Sequence, residues 1–253
     1  MITALVTGAN KGVGFATARA LGRVGAKVWV GARSTELGRN ATERICSEGI
    51  DAEFIQLDVT DSASIAAAAR RMADSSPVLD ILVNNAGIMT ELNVVDFTPS
   101  QAGLVSLDTL RKIYETNLFG AIAVTQAMLP MLRKSLRGRI VNVSSRLGSI
   151  ALQTDERWAP RALNQLGYGS SKAALNMATA IFSYELRNTR IKINAVSPGT
   201  IATDLSGAKA EDLVGKPGFA SPDQGAEVIV RYATLADDGP SGRFFGPDGE
   251  LEW

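Results

Sequence analysis

The chain predicts an α/β protein, a doubly wound and largely parallel sheet with helices on both faces. Short runs rich in Val, Ile and Leu alternate with longer helical stretches along all 253 residues. The first such run opens into a glycine-rich turn, Gly8-Ala9-Asn10-Lys11-Gly12-Val13-Gly14, and then a helix. The length suits one α/β domain, expected to span residues 1–253.

Each element has its own signal. Ile2-Thr3-Ala4-Leu5-Val6-Thr7 is a short apolar run of β type, and Phe15-Ala16-Thr17-Ala18-Arg19 continues the glycine turn as a helix. Residues 27–31 form a second strand and 34–47 a helix. Residues 52–56 form a third strand, followed by a helix from Asp61, an acid suited to accept from the free amides of a first turn. Residues 79–84 form a fourth strand. After a loop, 107 to about 134 reads as one long helix. Residues 139–144 form a fifth strand, 165–187 a helix, 191–196 a sixth strand, 221–234 a helix and 242–245 a short final strand. Ligands of such a sheet gather at the carboxyl ends of the strands, where Thr7, Asn84 and the pair Ser144/Ser145 fall. There is no internal repeat, low-complexity tract or linker that would divide the chain.

Composition narrows the chemistry. Lys plus Arg number 26 and Asp plus Glu 26, so nothing favours nucleic acid or an anionic membrane as partner. The single cysteine, Cys46, allows no internal disulfide and no thiolate metal cluster. The absence of histidine removes Ser-His-Asp and Cys-His hydrolysis and His-ligated zinc, and no metal site is expected. No signal peptide or membrane span is read ahead of the first strand, and the cytoplasm is the expected compartment.

Tyr168 and Lys172 stand four residues apart, on one face of a helix and one turn from each other. A lysine ~4 Å from a phenolate, at an effective dielectric of ~20, stabilises it by ~4 kcal/mol. That is roughly three pKa units, enough to bring a tyrosine toward the neutral range where an acid/base group works best. At the other end of the chain, the glycine turn lets backbone approach a pyrophosphate, and the following helix offers free N–H groups and its positive end. Its spacing is Gly-x-x-x-Gly-x-Gly.

That spacing, then Asn84-Asn85-Ala86-Gly87, then Tyr168 with Lys172, occur in this order along one chain. Together they resemble the short-chain dehydrogenase/reductase family, from Thr7-Gly8 to Pro198-Gly199 and into the last strand. The resemblance implies a Rossmann-type sheet of about seven strands in the order 3-2-1-4-5-6-7. It implies Tyr168 as general acid/base, Lys172 lowering its pKa and bonding the nicotinamide ribose, and Ser145 at the carbonyl oxygen, with Ser144 the neighbouring candidate. Asn117 matches the family asparagine that holds a relay water near the lysine. Gly8, Asn10, Lys11, Gly12, Val13 and Gly14, then Asp58, Val59, Asn85, Ala86 and Gly87, then Pro198, Gly199, Ile201 and Thr203 match cofactor-binding positions. Tyr168 and Lys172 share that role.

The second strand ends Val30-Gly31-Ala32-Arg33, with Ala32 where an NAD enzyme usually carries a carboxylate for the ribose 2′-hydroxyl. Arg33 and Lys11 suit a 2′-phosphate, so NADP(H) is the expected cofactor; the other reading leaves Arg33 solvated and Glu36 at the ribose. Two features depart from the commonest family pattern. Ser145 and Tyr168 lie 23 residues apart, and the extra segment, with Trp158 and Pro160, resembles a shortened form of the insertion in carbonyl-reductase-like members. The loop 90–106 is also long and polar, at the active-site end, and is a candidate pocket wall. Met89, Leu147, Trp158, Ile201 and Leu205 are the residues expected near substrate, with Trp158 equally compatible with surface packing. The resemblance implies an NADPH-dependent carbonyl reductase or alcohol dehydrogenase acting on a small-to-medium ketone or aldehyde. A same-fold NADP-dependent epimerase or dehydratase, a non-catalytic NADP-sensing protein and an interaction protein are the alternatives. A monomer is expected, because the insertion can cover the helical face that otherwise joins subunits.

Overall fold

Eight strands join one sheet in the order β3-β2-β1-β4-β5-β6-β7-β8. The structure, a computed structural model, describes residues 2–91, 100–206 and 209–253. The strands are β1 (Ile2–Thr7), β2 (Ala26–Ala32), β3 (Ala52–Gln56), β4 (Ile81–Asn84), β5 (Arg139–Val143), β6 (Lys192–Val196), β7 (Phe244–Gly246) and β8 (Gly249–Glu250). All pair in parallel except β8, which folds back antiparallel on β7. The first seven follow the expected order. The eighth, two residues long, carries no periodicity that a sequence could display.

The helices are α1 (Gly12–Arg23), α2 (Thr35–Cys46), α3 (Ser62–Ser75), α4 (Leu107–Tyr114), α5 (Ala121–Leu132), α6 (Ile150–Thr154), α7 (Leu166–Glu185), α8 (Ala210–Leu213) and α9 (Pro222–Ala233). The period of two along each central strand assigns alternate residues to opposite faces. Ala4, Val6, Val28, Val30, Ile81 and Val83 pack beneath α1, α2 and α9. Leu5, Trp29, Leu82 and Ile140 pack beneath α3, α5 and the end of α7. Strands buried on both faces are the mark of a parallel sheet.

Ser34, Asp61, Ser106 and Ser221 accept from first-turn amides of α2, α3, α4 and α9, and Ser221 forms a reciprocal pair with Gln224. The N-cap side chains of α1 and α7 make no such bond. The helix expected over 107–134 is interrupted: a π-helical turn, Glu115–Gly120, separates α4 from α5. Its widened ladder re-aims a side chain within a continuous helix, and Asn117, at 1 % exposure, lies inside it. No described helix is long and apolar enough to cross a membrane.

Candidate active site

The carboxyl ends of β1 and β4 are locked together. Thr7 Oγ1 accepts from the amides of Asn85 and Ala86, both at 3.0 Å, and Asn85 Nδ2 donates to Thr7 O at 2.8 Å. Gly8 and Gly12 adopt φ of 63° and 58°, which a side chain disfavours. At Gly14 a Cβ would stand 2.4 Å from Asn85 Nδ2 and 2.5 Å from Gly8 O. The close turn therefore delivers the start of α1, uncapped and with no acid in its first turn, to the sheet edge. Free amides at a positive helix end fit a pyrophosphate. Asn10 and Val13 are half-buried on the same turn.

Arg33 leaves the end of β2 with 81 % of its side chain exposed, its Nε 4.0 Å from Asp58 Oδ2. Asp58 Oδ1 accepts from Thr60 N and Oγ1 at 3.0 and 2.7 Å. Val59 is buried, its carbonyl 2.7 Å from where a Cβ on Gly120 would lie. Lys11, expected beside a 2′-phosphate, is paired with an acid: its ammonium meets Asp204 Oδ2 at 2.7 Å. Asp204 follows Thr203, whose Cγ2 lies 3.4 Å from a Cβ position on Gly12. The segment after β6 thus rests on the glycine turn. Sequence reading missed Asp204, because the pair joins positions 193 residues apart.

Deeper in the cleft, α7 carries Tyr168 at 6 % and Lys172 at 4 % exposure. The ammonium donates to Val143 O at 2.8 Å and lies 5.7 Å from the phenol ring centre. A Cβ on Gly87 would sit 3.3 Å from Asn117 Oδ1 and 3.5 Å from Lys172 Nζ, so these two groups face each other across a glycine. Asn117 also clamps the chain after β4, accepting from Ile88 N at 2.8 Å and donating to Ile88 O at 3.0 Å. Of the two serines, Ser144 is spent inside, donating to Asn176 Oδ1 at 2.6 Å, whereas the Ser145 hydroxyl, which accepts from Leu147 N at 3.2 Å, is the hydrogen-bonding neighbour that favours ionisation of the Tyr168 phenol.

The electrostatics correct one expectation. Burial pushes the Tyr168 phenol up to about 12, and the Ser145 hydrogen bond offsets only part of this. Burial also pulls Lys172 down to about 8. The expected fall of Tyr168 toward neutrality assumed a close ammonium–phenolate pair in a polar medium. Here the ammonium is turned to a backbone carbonyl, and loss of water dominates both groups.

The residues expected near substrate are dispersed. Met89 and Leu147 are half-buried on the chain just after Ile88 and Ser145. Leu205 is 39 % exposed in the segment after β6. Ile201 instead packs on α9, its Cδ1 2.8 Å from a Cβ position on Gly225, where Pro198 also lies. Gly199 turns at φ 92°. Trp158 is half-buried at the start of a turn over Ala159–Leu163. Of the loop 90–106, residues 92–99 lie outside the described structure; Ser100 N bonds Leu163 O at 3.2 Å. The insertion does not cover the outer face of α7, where Met177, Ile181 and Tyr184 are 63, 61 and 69 % exposed. The cover that made a monomer the expected state is not seen on this face among the described residues.

Comparison with known proteins agrees with this geometry. The short chain dehydrogenase family model matches residues 2–213. The chain is 35% identical to the short-chain dehydrogenase anuI of Penicillium roqueforti, over 91% of this chain and 87% of that one. It is 33% identical to mouse (Mus musculus) carbonyl reductase [NADPH] 1, over 95% and 94%. The crystal structure of NADPH-bound carbonyl reductase from chicken fatty liver superposes with a TM-score of 0.81 at 28% identity, covering 99% of this chain and 98% of that one. A glycine turn at an uncapped helix, a buried Tyr168/Lys172 pair and a family model spanning most of the sequence lead to one conclusion: the chain belongs to the short-chain dehydrogenase family.

Proposed function

We propose that this protein is an NADP(H)-dependent carbonyl reductase or alcohol dehydrogenase, a single domain of the cytoplasm, acting on a small-to-medium ketone or aldehyde. The observation that carries this reading is the meeting of Tyr168, Ser145, Lys172 and Asn117 at the carboxyl ends of β4 and β5. When bound, the nicotinamide supplies or accepts the hydride. The glycine turn and the start of α1 would hold the pyrophosphate, and Arg33 would meet the 2′-phosphate. Lys11 joins Arg33 there only by loosening its pair with Asp204. The relatives named for NADPH support this choice.

The chain's own residues handle the proton. A phenol held near 12 is neutral at physiological pH, so Tyr168 arrives as a donor. A substrate carbonyl oxygen between Tyr168 and Ser145 receives two hydrogen bonds that strengthen as negative charge develops. Tyr168 gives its proton to that oxygen. Lys172, held near 8, loses and regains a proton close to neutral pH and so can restore the phenol. In the oxidative direction the same groups act in reverse, and Tyr168 must first be deprotonated.

NADPH consumption with aliphatic and aromatic ketones and aldehydes tests the reading; tight NADPH binding with no turnover on any of them would favour the non-catalytic alternative. For the cofactor, Arg33→Ala is expected to weaken NADPH about 10- to 100-fold, from a charge-assisted bond of ~1.5–3 kcal/mol, and to leave NADH nearly unchanged. Equal losses for both cofactors, by titration, would remove Arg33 from the 2′-phosphate.

A further inference from the structure

The start of α7 is capped from outside. Its own N-cap residue, Gln165, contributes no side-chain bond. Instead Glu91 spans two consecutive amides: Oε1 accepts from Gly167 N at 2.7 Å and Oε2 from Tyr168 N at 2.6 Å. The cap for this helix therefore comes from a residue 76 positions earlier in the chain. Gly167 is shaped to this contact. A Cβ there would stand 3.1 Å from Glu91 Oε2, 2.8 Å from Leu110 Cδ2 and 2.9 Å from Ile113 Cδ1.

These bonds close a ring. Asn117 holds Ile88 by both its amide and its carbonyl. Three residues on, Glu91 holds the Tyr168 amide. Ser171 Oγ donates to Tyr168 O at 2.8 Å and accepts from Asn117 Nδ2 at 3.1 Å, returning to the start. The ring runs from the π-helical turn, through the chain that carries Met89, to the backbone of the tyrosine.

We infer that Glu91 is a positioning residue for Tyr168, fixing the first turn of α7 so that the phenol stays registered against Ser145 and the chain after β4. Ordinary helix capping does not account for the arrangement. Helices α2, α3, α4 and α9 take their caps from a serine or aspartate at the N-cap itself. Here a carboxylate is committed, through charge-assisted bonds, to the amide of the one residue that must be placed accurately. A misplacement of about 1 Å at a reacting group costs up to ~10²-fold in rate. The inference rests on the reading of Tyr168 as proton donor.

The test compares Glu91→Ala, Glu91→Gln and Tyr168→Phe, with the Glu91→Ala/Tyr168→Phe double variant. Glu91→Ala is expected to lower kcat about 10-fold, with the NADPH dissociation constant and carbonyl KM within about twofold of wild type. Glu91→Gln keeps one acceptor oxygen and is expected to recover part of the loss; if Glu91→Ala does not fold, this variant carries the comparison. In the Tyr168→Phe background the Glu91 substitution is expected to cost nothing further, because the group it positions is gone. Wild-type kcat in both Glu91 variants, an equal penalty with and without Tyr168, or a fall in kcat matched by weaker NADPH binding would overturn the inference. Wild-type turnover in Tyr168→Phe would instead sink the proposed function, whatever Glu91 does.

Discussion

The two faces of α7 are inverted relative to an ordinary surface helix. Inward it turns Tyr168, Ser171, Lys172, Asn176 and Thr179, all buried. Outward it turns Met177, Ile181 and Tyr184, all more than half exposed. A helix normally buries its apolar stripe and wets its polar one. The inner face survives because its polar groups find partners on or near β5. Lys172 donates to Val143 O, Ser144 to Asn176 and Asn142 Nδ2 to Thr179 Oγ1, the last at 2.8 Å. Glycines let this face approach closely. A Cβ on Gly148 would meet the backbone of Lys172 and Ala173 at 2.7–2.8 Å, and one on Gly169 would meet Leu147 O at 3.0 Å. The difference teaches that burial on this helix follows the partners each side chain finds, not its polarity: the inner face is polar and hydrogen-bonded, the outer face apolar and exposed.

The sharpest way to break that comparison is at the phenol. Tyr168→Phe keeps the ring and removes the proton, so turnover is expected to fall at least ~100-fold with NADPH binding nearly intact. Steady-state kinetics on the folded variant checks it, and near-normal turnover would make the inner face merely structural.

The next effect is on stability and its pH dependence. Burial holds Lys172 at about 8, below the ordinary lysine value of 10.5, so folding weakens its hold on the proton. The resulting cost is full below about pH 8 and fades as pH rises toward 10.5. Above pH 10 Tyr168 acts the other way, since its raised pKa adds stability that is lost between 10 and about 12. Without cofactor at pH 7, Lys172→Met is expected to be more stable than wild type by about 1–3 kcal/mol, though inactive. Denaturant titrations at pH 7 and pH 10 check this; a gap that does not narrow at the higher pH would contradict a buried, charged lysine.

The smallest effect on catalysis belongs to the outer face. Met177→Lys with Ile181→Lys is expected to leave kcat unchanged while altering the state of association. An exposed apolar stripe seeks a partner, so wild type is expected to scatter light as more than one 26.7 kDa chain and the double variant as one. A wild-type monomer would show that something other than the insertion keeps this face soluble.

Much of this was legible in the sequence because the signals are local. Strand runs, the glycine turn and the Asp61 cap each lie within a few residues, and the structure places them as expected. Tyr168 and Lys172 fall on one helix because spacing alone dictates it. What escaped is set by tertiary packing. The π-helical turn at Asn117 has no compositional mark. The Lys11–Asp204 pair and the Glu91 cap join residues far apart, and either acid taken alone reads as a solvated loop carboxylate. The direction of the Tyr168 pKa depends on how much water the fold removes, which charge spacing does not encode.

The tail gives the molecule a schedule. Trp253 stacks on Phe244, its carbonyl accepts from Ala151 N at 2.9 Å, and Glu252 O accepts from Ser149 Oγ at 2.8 Å. The chain immediately after Ser145 is thus anchored by residues made about a hundred positions later. During synthesis the glycine turn and β1–β4 can assemble early, but this wall of the cleft must wait for the tail. A ribosome paused before residue 252 would hold a chain whose β1–β4 are made and whose stretch from Ser149 to Ala151 is still unfastened.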